Sequence, residues 1–426
     1  MKKEARDLGL FDPTIAIAAS LCLLVILLYK RLNLGIVLNV TALFLAVLAL
    51  DLDRIPSVVY ATIDPMTFDG RLTISVVLAT FAVMLLSQLY KETGMINKLS
   101  ESIGNIINNP KTVLCVLPAV IGLLPVAGGA LMSAPLVDTE AEKLELKPDR
   151  KAYINLWFRH TIFPVYPISQ PLIVAAAIMG TAVPILILRQ IPVVAVMVAT
   201  GYIIGFWKVS RMKGKQEPST TKDRSSNLKQ FFTTFSPILV TIAVAVTLGT
   251  VSGDLSKQGF DVLSATIIGL VVLILISKLR LQVFAKPFKS WSIYGITFAA
   301  YGAFLLRGVM VNAGISQIFQ SFISNGNIDV VILLTVVPAM LGLLTGSPQG
   351  GVAIGASILA GILTFSPKIA ALVYISAYLG YTVAPTHLCF TFTAQYFKCS
   401  LGRLYKYIIP SFIATFAMAL IVYFFL

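Results

Sequence analysis

Charge is what this chain has least of. Only 12% of its 426 residues are charged, against 57% hydrophobic, and apolar runs of 16 to 20 residues recur along the whole length. That balance excludes a soluble domain and leaves a polytopic α-helical membrane protein. Acidic residues are the scarcer charge, 19 Asp and Glu against 33 Lys and Arg, and none falls in the centre of an apolar run. The four cysteines, Cys22, Cys115, Cys389 and Cys399, show no CxxC spacing. They read as small buried apolar residues, neither a metal site nor a disulfide framework. There are two histidines, no HExxH, no paired intramembrane aspartates, no GxSxG and no Walker A loop. Intramembrane hydrolysis and ATP-driven pumping therefore lack their usual residues, and no cofactor is implied.

What the chain has is spans. The pattern predicts them near 13–29, 33–50, 72–90, 151–181 (broken), 184–206, 234–251, 261–277, 290–308, 368–397 (broken) and 402–425, with re-entrant hairpins at about 112–137 and 330–365. The first run has no small-residue cleavage site and ends in Lys30-Arg31, so it reads as a helix, not a signal peptide. On this map 23 of the 33 Lys and Arg fall on one side, 7 on the other and 3 within spans. The rich side, including the polar stretch Lys208 to Lys229, is expected to be cytoplasmic, with both termini outside the cell (inner) membrane. The net charge of +14 is thus topological and does not point to nucleic acid.

The chain also repeats. Gly94 precedes Pro118-Ala-Val-Ile-Gly-Leu-Leu124, and 220 residues later Gly314 precedes Pro338-Ala-Met-Leu-Gly-Leu-Leu344. Each block runs into a Gly- and Pro-rich stretch: PVAGGALMSAP from Pro125, TGSPQGGVAIG from Thr345. The expected organisation is repeat 1 over 1–207, a cytoplasmic linker over 208–232 and repeat 2 over 233–426. Each repeat has five spans and one hairpin. Five is odd, so the second repeat is inverted; its hairpin enters from outside and the first from the cytoplasm. Duplicated hydrophobic halves, each interrupted at a corresponding place, point to a secondary transporter and its binding site.

Non-helical backbone at membrane depth survives only inside protein or beside a wet cavity. Four such places are expected. Two are the hairpin tips, with Gly128 and Gly129 in one and Gly346, Pro348 and Gly350 in the other. Two are proline breaks, Phe163-Pro164-Val-Tyr-Pro167 and Ala384-Pro385-Thr386-His387. Ordinary helix packing and proline kinks explain any one of these, but less readily four in repeat-related pairs. With an offset of 221, His160 aligns with Tyr381 and Tyr166 with His387, so each break carries one His and one Tyr facing a shared cavity. Arg159 lies nine residues past Arg150, roughly 13 Å into the bilayer. A charge that deep without a carboxylate partner suits an anionic substrate. Arg189 and Arg307 sit near span ends, where snorkelling explains them. A coupling proton would have only His160 and His387; a sodium ion would use Ser133, Thr345, Ser347 and hairpin carbonyls. Gln349 and Thr386 complete the candidate site.

The order of hairpin and proline-broken helix, with LLPVAGGALMSAP from Leu123 and RHTIFPVYP from Arg159, resembles the ion transporter superfamily. That group includes divalent anion/sodium symporters, citrate and gluconate permeases and arsenite-efflux proteins. The closest resemblance is to an uncharacterised prokaryotic integral membrane family within it. The resemblance implies a homodimer with a moving transport domain against a scaffold of spans one, two, six and seven. It also implies a Ser-Asn-Thr signature at each hairpin tip, but the tips here read Ala127-Gly-Gly-Ala-Leu-Met-Ser133 and Thr345-Gly-Ser-Pro-Gln349, without that triplet. Thr386 after Pro385 does fit the relatives' second break. The function expected is a carrier for a small, organic anion working by alternating access in an elevator-like manner. A channel or an intramembrane enzyme are the alternatives.

Overall fold

The computed structural model describes residues 11–30, 32–107, 109–124, 129–209, 221–314, 329–360 and 363–426. Among these the chain is entirely helical outside its turns. The first half runs α1 (Pro13–Tyr29), α2 (Leu34–Ala49), α3 (Ile55–Ala61), α4 (Phe68–Glu92), α5 (Met95–Ile106), α6 (Pro110–Gly122), α7 (Ala130–Glu142), α8 (Pro148–Thr161), α9 (Gln170–Ile178) and α10 (Val183–Phe206). The second runs α11 (Thr221–Val251), α12 (Gly253–Lys257), α13 (Phe260–Ser277), α14 (Leu281–Ala285), α15 (Trp291–Asn312), α16 (Val330–Thr345), α17 (Pro348–Ala360), α18 (Pro367–Thr382), α19 (Leu388–Tyr396) and α20 (Leu401–Phe425). Seven helical stretches are long and apolar enough to cross a membrane, one of them the whole broken span Pro148–Ile178, and four shorter helices are also apolar. This is an integral membrane protein.

Local sequence sets where helices start. Asn109 caps α6 by accepting from Lys111 N at 3.0 Å, and Asp329 caps α16 by accepting from Val331 N at 2.8 Å and Ile332 N at 3.2 Å. Both helices contain an internal proline, Pro118 and Pro338, at the repeat spacing of 220. Gly94 and Gly314, also 220 apart, both take left-handed backbone with φ of 69° and 66°, which glycine adopts without a Cβ penalty. Four short elements went unread in the sequence. Of these α5 matters most: it is amphipathic, with Ile96, Leu99 and Ile103 turned into the protein.

Packing partners exchange between the halves. The hairpin arm α6 packs on α8, and its counterpart α16 packs on α18; the other arms cross over, α7 against α19 and α17 against α9. Likewise α2 packs on α15 and α13 on α4, while α10 and α20 pair with each other. The broken span is the innermost: 83% of the most apolar stretch across Pro148–Ile178 is buried, against 28% for α10, α11 and α20, whose apolar surfaces face outward.

These crossings depend on small residues, as membrane helix contacts do. A Cβ on Gly342 would strike the carbonyl oxygen of Ala377, and one on Gly380 would strike that of Ala339, so α16 and α18 touch backbone to backbone. At the α2–α15 crossing, Asn39 Nδ2 donates to Gly35 O at 2.8 Å and to Phe298 O at 2.9 Å. Overpacking such a contact costs about 1–3 kcal/mol. Gly380→Val is therefore expected to lower the unfolding stability of detergent-purified protein by about that much. Gly402→Val, where an added Cβ meets nothing within 4 Å, should leave it nearly unchanged in the same melting experiment.

Candidate functional site

The two long inner spans come apart where proline dictates. After Thr161 a single 3₁₀ turn, Phe163–Val165, leads to a fresh helix at Gln170. After Thr382 the chain stays unwound until Leu388. Between these breaks lies a cavity of about 250 Å³. Its walls carry Arg159, His160, Phe163, Gln170 and Pro171 from the first break, and Tyr378, Tyr381, His387, Leu388 and Cys389 from the second. Gly346, Ser347, Pro348 and Gln349 come from the second hairpin, with Leu34 of α2 and Ile296 of α15 closing the side.

Three helix N-termini meet there: Gln170 and Pro171 begin α9, Pro348 and Gln349 begin α17, and Leu388 begins α19. Each brings the partial positive charge of its unpaired N–H groups. Arg159 adds a full charge. It is 2% exposed, makes no ion pair among the described residues, and spends one nitrogen on Leu124 O at 3.4 Å while Nη1 has no partner. Gln349 Nε2 and His387 Nδ1 are also buried without partners. Among the described residues no carboxylate lines the cavity. A buried arginine, the Gln349 amide hydrogens and three helix N-termini on one cavity wall could together accommodate negative charge.

The aromatic and imidazole side chains are tightly connected. Tyr381 Oη lies 2.6 Å from His387 Nε2 and 3.2 Å from His160 Nε2, and the two imidazole centroids are 4.8 Å apart. His160 Nδ1 is 2.6 Å from Leu156 O. Tyr378 Oη donates to His160 O at 2.6 Å. Ligand atoms of His160, His387 and Cys389 all fall within 4.8 Å of one another, a spacing that invites a metal reading. The phenol oxygen of Tyr381 lies between the two imidazoles and within hydrogen-bond distance of both, so these three side chains form one hydrogen-bonded group.

Of the residues expected from sequence, Arg159, His160, Gly346, Ser347, Gln349, Tyr381 and His387 line the cavity. Tyr166 is buried elsewhere and does not, which breaks the symmetric His–Tyr exchange. Thr345 donates to Leu341 O at 2.8 Å and to Ser347 O at 2.9 Å, Thr386 donates to Leu343 O at 3.2 Å, and Gly350 lies behind the tip; these shape the loop without lining it. Gly346 needs its left-handed φ of 57°, and a Cβ there would meet Thr386 Oγ1 at 2.6 Å. Gly128 lies outside the described residues. Gly129 and Ser133, at the start of α7, are not among the lining residues, and Ser133 Oγ donates to Asn155 Oδ1 at 2.6 Å. Cys389 is buried, but in the cavity wall and not in featureless core. Arg307 leans toward Asp69 at 3.9 Å, and Arg189 is half-buried with Nη1 unpartnered among the described residues. Gln170 and Tyr378 were missed; only their closeness to the breaks could have marked them.

Asn155 ties the first hairpin to both broken spans. Besides accepting from Ser133 it donates to Ala130 O at 3.0 Å and to Thr393 Oγ1 at 3.4 Å.

A family model described as "Protein of unknown function (DUF401)" matches residues 14–426. The chain belongs to the DUF401 family. No curated protein matches it in sequence. In fold it is similar to the Alcanivorax borkumensis YdaH transporter, whose crystal structure is described as revealing an unusual topology. The TM-score is 0.62 at 15% identity, covering 97% of this chain and 98% of that one. The likeness carries the fold: an all-helical membrane architecture of the same extent.

Removing the Asn155 amide would take the 2.6 Å acceptor from the Ser133 hydroxyl and one donor from the Ala130 carbonyl, leaving the two only their mutual 3.2 Å contact, and would free Thr393 Oγ1. Asn155→Leu is expected to cost about 1–3 kcal/mol of stability. Ser133→Ala should cost less, and the double variant less than the sum, because both act on one contact; denaturant unfolding of purified protein reads all three.

Proposed function

We propose that this protein is a secondary active transporter of a small, organic anion, working by alternating access. The observation that carries the reading is Arg159, buried without a carboxylate and facing three helix N-termini across a cavity of about 250 Å³. Helix ends pointing at an anion from broken spans are how membrane carriers hold substrate without a dedicated soluble domain. The cavity lies just below the lower end, about 300 Å³, of pockets for drug-sized ligands, so the cargo is a compact acid.

The breaks would be the moving parts. Residues 1–207 and 233–426 form inverted repeats joined by the cytoplasmic linker 208–232, and the exchanged packing of hairpin arms supports that relation. α1, α2, α11 and α13 would make the scaffold of a homodimer, with the hairpins and broken spans moving against it as an elevator. Both termini would lie outside the cell membrane, as the distribution of Lys and Arg favours. The coupling ion is sodium or a proton. A channel of the same fold would need a continuous path, whereas the breaks and the second hairpin here gather around one small cavity.

Solid-supported-membrane currents from purified protein in liposomes test this. The panel holds small mono-, di- and tricarboxylates, sugar acids and arsenite, each with and without a sodium or pH gradient. One substrate class is expected to give a transient current that Arg159→Met reduces at least tenfold, a loss of about 1.4 kcal/mol or more. Gly346→Val should also depress it by displacing Thr386. Single-channel conductance far above carrier turnover, or a current indifferent to Arg159→Met, would contradict the proposal.

A further inference from the structure

The relay joining the two breaks has a fixed direction, and it bears on the coupling ion. His160 Nδ1 faces Leu156 O at 2.6 Å, and a carbonyl oxygen can only accept, so that nitrogen carries hydrogen. His160 Nε2 is then the acceptor in neutral imidazole. Tyr381 has one hydroxyl hydrogen to give; donating it to His160 Nε2 leaves its oxygen to accept from His387 Nε2–H. His387 Nδ1 is therefore a bare lone pair, buried and without a partner. An unpaired imidazole acceptor on a cavity wall is costly to keep unless something binds it.

We infer that the coupling ion is a proton, taken up at His387 Nδ1 and passed through Tyr381 to His160. The inference rests on the carrier reading above. The transfer balances: as Nδ1 gains the proton, His387 Nε2 gives its own to the phenol oxygen, and the phenol gives its own to His160 Nε2. One proton enters, Tyr381 ends as a phenol, His387 ends neutral with hydrogen on Nδ1, and His160 becomes imidazolium. The charge has moved from the second break to the first and sits next to Arg159 in sequence, enlarging the positive field on the anion. Proton and anion each favour the other's binding, and by linkage to the same degree, which makes the pair a symporter.

The surroundings support a proton over a metal cation. The charged or titratable groups facing the pair are Arg159 on α8, Tyr378 on α18 and Cys389 on α19. The remaining elements of the cavity, α2, α9, α15 and the second hairpin, present only uncharged residues, and α6, α7, α10 and α20 line none of it. Of the hydroxyls that sodium would use, Ser133 and Thr345 line none of the cavity, and Ser347 Oγ already accepts from Gly350 N at 3.3 Å.

Two histidines in the whole chain make this directly readable. Full-length protein labelled with ¹⁵N-histidine, in liposomes without substrate, shows each imidazole's tautomer by solid-state NMR across a pH series. At alkaline pH, His160 is expected as the Nδ1–H tautomer and His387 as Nε2–H. On acidification, His160 should become doubly protonated while His387 switches to Nδ1–H at the same midpoint. In Tyr381→Phe, checked to be folded by its melting curve, that linked switch should vanish. Doubly protonated His387 beside an unchanged His160, two separate midpoints in the unaltered protein, or two histidines that stay neutral throughout would each overturn the relay. Because no substrate is present, the result separates from the carrier reading: sodium-driven uptake with silent histidines keeps the carrier and removes the relay, while a linked switch with no gradient-driven uptake of any radiolabelled panel member does the reverse.

Discussion

Backbone that leaves the helix at membrane depth must be enclosed by protein, since lipid offers no partner for a free N–H or C=O. Both broken spans obey this. The first, Pro148–Ile178, is the most enclosed of the long apolar stretches, and the second passes through Tyr374, Tyr378 and Tyr381, of which the first two are fully buried. The glycines at Gly342 and Gly380 let a hairpin arm lie backbone to backbone on a broken span. Tyr378 donates to the carbonyl of His160, and Tyr405 donates to that of Val383 at 2.8 Å, so backbone groups near the breaks find partners in other elements. The hairpins, the small residues and the tyrosines all serve one end: a place where chain can unwind inside a bilayer.

Unwinding creates helix ends, and helix ends create charge. The three N-termini around the cavity would repel a lone arginine if nothing else entered, and Arg159 is held there with only a long hydrogen bond to Leu124. Some charges elsewhere are paired near helix ends, as Lys151 with Asp138 at 2.5 Å and Lys286 with Glu92 at 3.3 Å. The contrast is what gives the cavity its meaning. A cavity that holds a buried arginine and no carboxylate among the described residues is where the proposed anion would bring the missing negative charge.

Much of this was readable in the sequence because it rests on backbone requirements that particular residues signal. Gly94 and Gly314 marked left-handed turns, Pro118 and Pro338 marked matching hairpin arms, and the prolines after His160 and before His387 marked the breaks. Arg159 stood out by depth alone. What the sequence did not disclose depends on which way side chains turn after packing. Tyr166 aligns with His387 but is buried away from the cavity, and Ser133 at the first hairpin is claimed by Asn155, 22 residues further on. Cys389 read as filler because nothing in its local pattern separates a cavity wall from a core. Short helices such as α5 escaped because their apolar faces are too brief to stand out against apolar neighbours.

The central claim is that the cavity between the breaks binds a compact anion through Arg159, and binding itself is the most direct test. Thermal unfolding of the purified protein is recorded with and without each member of a panel of small carboxylates and inorganic anions. A ligand that binds the folded state raises the midpoint in proportion to its occupancy, by about 2.7 kcal/mol at one hundred times its Kd. The account predicts a concentration-dependent rise for one chemical class of anion, abolished in Arg159→Met. A rise that survives intact in Arg159→Met would place the anion elsewhere and contradict the account.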